Sequence, residues 1–148
     1  MIQNLLVVCV GNICRSPMAE GLFASALQQS VQAGMKISSA GLGAPVGRPA
    51  DPIALELMAE KGIDISEHRA RQLDFDMVYN CDLLLVMESW HKDEILRFFP
   101  AAQGKVHLLC EEDKSDIIDP YRGSRRTFEG SLNNIEKGVS NWLARLEK

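Results

Sequence analysis

The spacing of apolar residues along the chain changes period several times, and each change predicts an element. Leu5-Leu6-Val7-Val8-Cys9-Val10 is an unbroken β-prone run, as expected of a strand buried on both faces. Over residues 17–29 the pattern becomes helical, with Ser16 suited to the N-cap, Pro17 to the first helical position and Glu20 to the first turn. Met35-Lys36-Ile37-Ser38-Ser39 alternates as a second strand, followed over residues 40–49 by a loop rich in Gly and Pro. Asp51-Pro52 opens a helix that ends before Gly62, and Asp74 is placed to cap a short helix reaching Tyr79. Residues 82–87 form a third buried strand, residues 89–99 a helix closed by Pro100, and residues 105–110 a fourth strand. A polar loop over 111–126 carries Asp119-Pro120-Tyr121. Beyond it, Phe128, Leu132, Ile135, Val139, Trp142 and Leu146 recur at steps of four and three, one apolar helix face.

Strands alternating with helices imply right-handed crossovers and a parallel sheet covered on both sides. No repeat, low-complexity segment or interdomain linker interrupts the pattern, so one α/β domain over residues 1–148 is expected. A chain of this length buries a sufficient core without disulfides or metal. The 16 basic and 20 acidic residues give a net charge of -4, which argues against a nucleic-acid surface. No apolar window approaches the length of a membrane span, so no membrane insertion is expected. The N-terminal apolar run is too short, and lacks the basic flank, of a signal peptide. Cys9, Cys14, Cys81 and Cys110 then read as reduced thiols of a cytoplasmic protein. None of their spacings is C-x-x-C and no histidine pair completes a zinc site.

The candidate chemistry lies where the first strand meets the first helix. Ligands of parallel α/β folds bind beyond the carboxyl ends of the strands, and a helix N-terminus there favours an anion and a thiolate alike. Cys9 sits at that point. Arg15 adds a planar fork suited to two phosphate oxygens, Gly11 permits close backbone approach, and Asn12 tolerates a left-handed conformation. A Cys and an Arg separated by five residues are a weak signal alone. The preceding buried strand, the Gly-Asn within, the Ser-Pro after and the amphipathic helix behind are what strengthen it. Thiolate attack at phosphorus needs a proton donor for the leaving oxygen, and Asp119 is the candidate. Pro120 would stiffen its loop and Tyr121 would wall a pocket, although Asp-Pro by itself is usually just a turn.

Val-Cys-Val-Gly-Asn-Ile-Cys-Arg-Ser-Pro from residue 8, Ser-Ala-Gly at 39–41, His-Arg-Ala-Arg-Gln at 68–72 and Asp-Pro-Tyr-Arg at 119–122 resemble the low-molecular-weight protein tyrosine phosphatases. The similarity spans nearly the whole chain and is strongest to bacterial members associated with tyrosine kinases of exopolysaccharide and capsule export. The resemblance implies a flavodoxin-like three-layer fold, with a four-stranded parallel sheet in the order 2-1-3-4. It implies hydrolysis of protein phosphotyrosine, with Cys9 as nucleophile, Arg15 and the amides of Val10, Gly11, Asn12, Ile13, Cys14, Arg15 and Ser16 binding the phosphoryl group, and Asp119 as general acid and base. Asn12, Ser16, Ser39 and His68 match a supporting network around the loop. Ser39 and His68 read, by position alone, as a strand-end serine and a surface histidine. No cofactor or metal is expected. The expected partner is a phosphotyrosine protein, in this branch a tyrosine autokinase of polysaccharide export.

Family members can pair the two loop cysteines in a reversible disulfide; for Cys14 that role and simple packing both remain open. Cys81 and Cys110 read as core residues. Animal members often carry an aromatic in the loop after the second strand. Here Leu42 and Val46 are the expected aliphatic walls on that side, with Ile13 and Tyr121 contacting the phenol ring. A thioredoxin-coupled arsenate reductase of the same fold needs resolving cysteines just after the third strand, where this chain has Met87-Glu88-Ser89-Trp90-His91. A binding module without turnover would have no use for Cys9 together with Asp119.

Overall fold

The computed structural model describes residues 2–28 and 34–147. Four parallel strands, β1 (Asn4–Cys9), β2 (Lys36–Gly41), β3 (Leu83–Val86) and β4 (Val106–Leu108), make one sheet in the order β2-β1-β3-β4. The expected strand order is the one observed. Among the described residues five α-helices accompany them: α1 (Arg15–Leu27), α2 (Pro52–Glu60), α3 (Phe75–Asn80), α4 (Ser89–Phe98) and α5 (Arg125–Leu146).

Strand periodicity divides the core into two layers. From β1, Leu5, Val7 and Cys9 join Phe23 of α1, Met58 of α2 and the apolar face of α5. Leu6 and Val8 face the other way, onto Val78 of α3 and Ile95 of α4. Strand β3 does the same with Leu83 and Leu85 against Leu84 and Val86. A strand buried on both sides has no room for a polar alternate, which is why its sequence reads as a continuous apolar run.

Element boundaries follow their local chemistry. The Asp51 carboxylate accepts from the Ile53 amide at 2.9 Å and Pro52 occupies the first turn of α2. Asp74 caps α3 through the Met77 amide. Expectations about the start of α1 differ, and with the helix beginning two residues earlier Glu20 lies beyond the first turn. The helix starts at Arg15, and Cys14 rather than Ser16 is at its N-cap, without a side-chain capping bond. The Ser16 hydroxyl is committed elsewhere, as described below. The expected far end of that helix, Gln29, lies outside the described residues. Strand β2 runs on to Gly41 because Ala40 and Gly41 continue the pairing with Val8 and Cys9. Helix α4 is capped by Glu88, whose carboxylate and amide engage the backbone and side chain of His91 reciprocally. Among the described residues no helix is long and apolar enough to cross a membrane.

Candidate active site

The carboxyl ends of β1, β2 and β3 converge on the loop between β1 and α1. Asn12 takes a positive φ of 55°, and this left-handed residue turns the chain so that its own amide points back at Cys9, 3.3 Å from Sγ. Gly41 makes the turn possible from outside. A Cβ there would lie 2.5 Å from the Val10 carbonyl oxygen and 3.1 Å from the Asn12 nitrogen, so β2 passes the loop only as glycine. This gives the Ser-Ala-Gly stretch its physical reason.

Behind the loop lies a buried chain of hydrogen bonds centred on Asn12. Its side-chain oxygen accepts from the Arg71 amide at 2.8 Å. That fixes the amide orientation and sends its two N–H groups to Ser16 Oγ at 2.8 Å and Ser39 Oγ at 2.9 Å. The Ser39 hydroxyl donates in turn to the Glu20 carboxylate. Ser16 Oγ, already an acceptor, lies 2.9 Å from Cys9 Sγ and has its proton free for the sulfur. His68 Nε2 donates to the Asn12 carbonyl at 2.6 Å and Nδ1 stands 4.0 Å from Glu20. Arg71 Nε bonds the Ser39 carbonyl at 3.2 Å.

Arg15 is almost wholly buried. One nitrogen, Nη1, donates to Glu88 Oε2 and to the Ile117 carbonyl, both at 2.7 Å. The other, Nη2, lies 3.6 Å from Asp119 Oδ2. Asp119 is held by its own turn: Oδ1 accepts from the Tyr121 amide at 3.1 Å, and the Gly123 amide closes on the Pro120 carbonyl at 2.7 Å.

These groups border a cavity of about 300 Å³. Cys9, Val10, Gly11, Ile13, Cys14 and Arg15 form its floor and one side, with Asp119 and Tyr121 opposite. Asn12 and Ser16 are wholly buried behind it. Leu42 and Val46 do not wall this cavity; Gly43, Pro45 and Arg48 do. Leu42 packs on the α3–α4 side of the sheet with Leu6 and Val8, and Val46 stands 70% exposed on the loop beyond. Arg48 therefore puts a second cation at the mouth.

Cys14 lines the cavity, but burial and, next, the Asp51 carboxylate push its thiol well above the ordinary range. It stays protonated beside Cys9, and both are free thiols here. Cys81 is buried before the amino end of β3, and Cys110 is bonded to the Asn134 carbonyl of α5; neither lines the cavity. Among the described residues no group of three or more His, Cys, Asp or Glu is placed to hold a metal ion.

The family model for low molecular weight phosphotyrosine protein phosphatase matches residues 4–148. The chain belongs to that family. It is 51% identical over 146 residues to the probable low molecular weight protein-tyrosine-phosphatase EpsP of Ralstonia nicotianae, covering 99% of this chain and 97% of that protein. The crystal structure of tyrosine phosphatase AmsI from Erwinia amylovora matches with a TM-score of 0.91 at 40% identity, over 98% of this chain and 93% of that one. Tyrosine phosphatase Wzb from Escherichia coli K30, solved in complex with sulphate, matches with a TM-score of 0.91 at 37% identity over 99% of each. Like its family, this phosphatase is a phosphoric monoester hydrolase acting on phosphotyrosine.

Several residues of the phosphatase site are not legible as such in the sequence: Glu88, Ile117, Arg48, Glu20 and Arg71. Glu88 and Ile117 sit 73 and 102 positions from the arginine they hold. Only Arg71, the second arginine of His-Arg-Ala-Arg-Gln, carried any signal, and it bonds Asn12 through its backbone amide and the Ser39 carbonyl through Nε.

Proposed function

We propose that Cys9 is the nucleophile of the phosphatase, Arg15 and the loop amides its phosphate receptor, and Asp119 its general acid and base. The observation that carries this reading is the Cys9 sulfur itself. It lies at a cavity floor, 2.9 Å from the Ser16 hydroxyl and 3.3 Å from the Asn12 amide, with a buried arginine and a half-exposed aspartate facing the same space.

Sγ attacks phosphorus in line with the phenolic oxygen. The P–O bond to tyrosine breaks, and Asp119 delivers its proton to the departing phenolate. Water then attacks the phosphocysteine and loses its proton to Asp119. The S–P bond breaks, and inorganic phosphate leaves with the thiolate restored. Donors preset around the three non-bridging oxygens stabilise the charge that develops there. Ile13 and Tyr121 flank the phenol ring, and Arg48 at the mouth favours the dianionic substrate. The side chains of Asn12, Ser16, Ser39 and His68 hold the loop in shape from behind.

The physiological substrate we propose is a phosphorylated tyrosine kinase of exopolysaccharide or capsule export, a reading that the names EpsP, Wzb and AmsI support. The enzyme acts on this protein in the cytoplasm. Cys9→Ser and Asp119→Asn, compared with wild type on p-nitrophenyl phosphate in the presence of a chelator, test the chemistry. Cys9→Ser is expected to abolish turnover, and Asp119→Asn to lower kcat by roughly 10²–10⁴. Turnover surviving Cys9→Ser would overturn the mechanism.

A further inference from the structure

A second cavity, of about 580 Å³, abuts the one described above and shares two of its walls, Val10 and Gly43. The partition is backbone: the Gly43 amide donates to the Val10 carbonyl at 2.9 Å, and a Cβ on Gly43 would meet no atom within 4 Å. Apart from Gln72, whose amide is bonded to the Leu42 carbonyl and the Ala44 amide, and Glu94 at the rim, the remaining walls are apolar. Leu42 and Leu73 line one side, and Trp90, Phe98 and Phe99 line the α4 side. Trp90 and Phe98 stay 47% and 64% exposed, although apolar area removed from water stabilises by about 25 cal/mol per Å².

The charges of the two cavities contrast. The first holds the Arg15 and Arg48 guanidinium groups, whereas the second has Glu94 as its one charged wall residue. Glu94 lies 3.8 Å from Arg97, which in turn sits over the Phe98 ring, so the rim is close to neutral. A second phosphate or a carboxylate finds no receptor there.

We infer that this second cavity is a substrate subsite that takes one apolar side chain, aromatic or branched aliphatic, from a residue flanking the phosphotyrosine. The inference rests on the phosphatase reading, because it needs a phosphotyrosine seated over Cys9. A tyrosine in that position leaves its main chain at the mouth beside Gly43. An extended peptide advances only about 3.3 Å per residue, so a neighbour crossing the thin Val10–Gly43 partition drops its side chain between Leu42 and Phe98. Continuity with the phosphate site selects this occupant.

The test is kcat/KM for phosphotyrosine peptides carrying Phe, Leu, Ala or Glu at each flanking position, each divided by the value for p-nitrophenyl phosphate on the same enzyme. One position is expected to favour Phe or Leu over Ala by about tenfold or more, the usual worth of an apolar pocket contact. Phe98→Ala, a change at an exposed side chain, is expected to shrink that preference to about twofold, and Glu94→Lys to relieve the rejection of Glu. No positional preference, or one unchanged by Phe98→Ala, overturns the subsite while leaving the phosphatase intact. So does a concentration-dependent dimer that Phe98→Ala abolishes, since a second copy would then be the occupant. Failure of the wild type to hydrolyse p-nitrophenyl phosphate would overturn the phosphatase reading instead.

Discussion

The Asn12 side-chain amide donates to the Ser16 hydroxyl oxygen at 2.8 Å, and the Ser16 hydroxyl lies in turn 2.9 Å from the Cys9 sulfur. An oxygen that accepts from Asn12 keeps its single hydrogen available, and a thiolate at Cys9 would take it. The Cys9 thiol is thus linked to a side chain that does not line the cavity. The orientation of that side chain is set by a backbone amide 59 positions away, that of Arg71.

Asn12→Ala leaves Ser16 and Ser39 each without a buried donor and frees the left-handed turn. Its kcat on p-nitrophenyl phosphate is expected to fall roughly tenfold to a hundredfold, with Ser16→Ala somewhat milder. Since both act through the same sulfur, the double variant should lose much less than the product of the two. Strict multiplicativity in the double-mutant cycle would show that the relay does not operate.

Gly41→Ala drives a methyl group into the Val10 carbonyl, 2.5 Å away, and the loop has to move. Overpacking of this kind costs about 1–3 kcal/mol, and here the displaced backbone is the loop proposed to receive the phosphate. Urea denaturation and phosphate-analogue affinity should both worsen. Gly130→Ala, in α5 with open space around its Cβ, is the control and is expected to gain about 0.5–1 kcal/mol.

Glu88→Ala removes the carboxylate from a buried guanidinium that keeps only the Ile117 carbonyl on the same nitrogen. Breaking fully buried pairs costs about 3–5 kcal/mol; with Glu88 still 23% exposed, about 2 kcal/mol is expected in urea denaturation. The freed Arg15 should also bind vanadate more weakly. Unchanged vanadate affinity would mean that Glu88 serves the fold alone.

His91 supplies a pH dependence of stability. It is wholly buried, Nδ1 accepts from the Glu88 amide at 3.2 Å, and Nε2 stands 3.3 Å from Glu88 Oε2 without a hydrogen bond. Burial, then the Arg15 charge, push its pKa from 6.5 down to about 4. The unfolded chain therefore binds this proton below about 6.5 while the folded one refuses it until about 4. Stability is full above that window and falls by roughly 3 kcal/mol across it as the pH drops. His91→Gln keeps an acceptor for the Glu88 amide and cannot titrate, so urea midpoints between pH 7 and pH 4 should fall less steeply than in wild type. Parallel slopes would remove His91 as the cause.

Much of this molecule was readable from local pattern alone. Buried strands, helix faces, the Asp51 and Asp74 caps and the βα alternation depend on neighbours within a few residues. So do the Cys9–Arg15 loop and the Asp119 turn. Distant contacts carry no such periodicity. Nothing local in Glu88, Ile117 or Arg71 announces that they grip Arg15 and Asn12, and nothing in the Gly-rich loop tells Leu42 from Pro45 as a pocket wall. Past the end of β2 the alternation of strand side chains stops, and side-chain direction follows the bonds that Gly43 and Gln72 make across the loop. By itself the sequence determined the elements and the position of the Cys9–Arg15 loop between β1 and α1. Only the tertiary structure decided what holds that thiol, what grips its arginine and which surfaces a substrate meets, because those depend on chain segments brought together by folding.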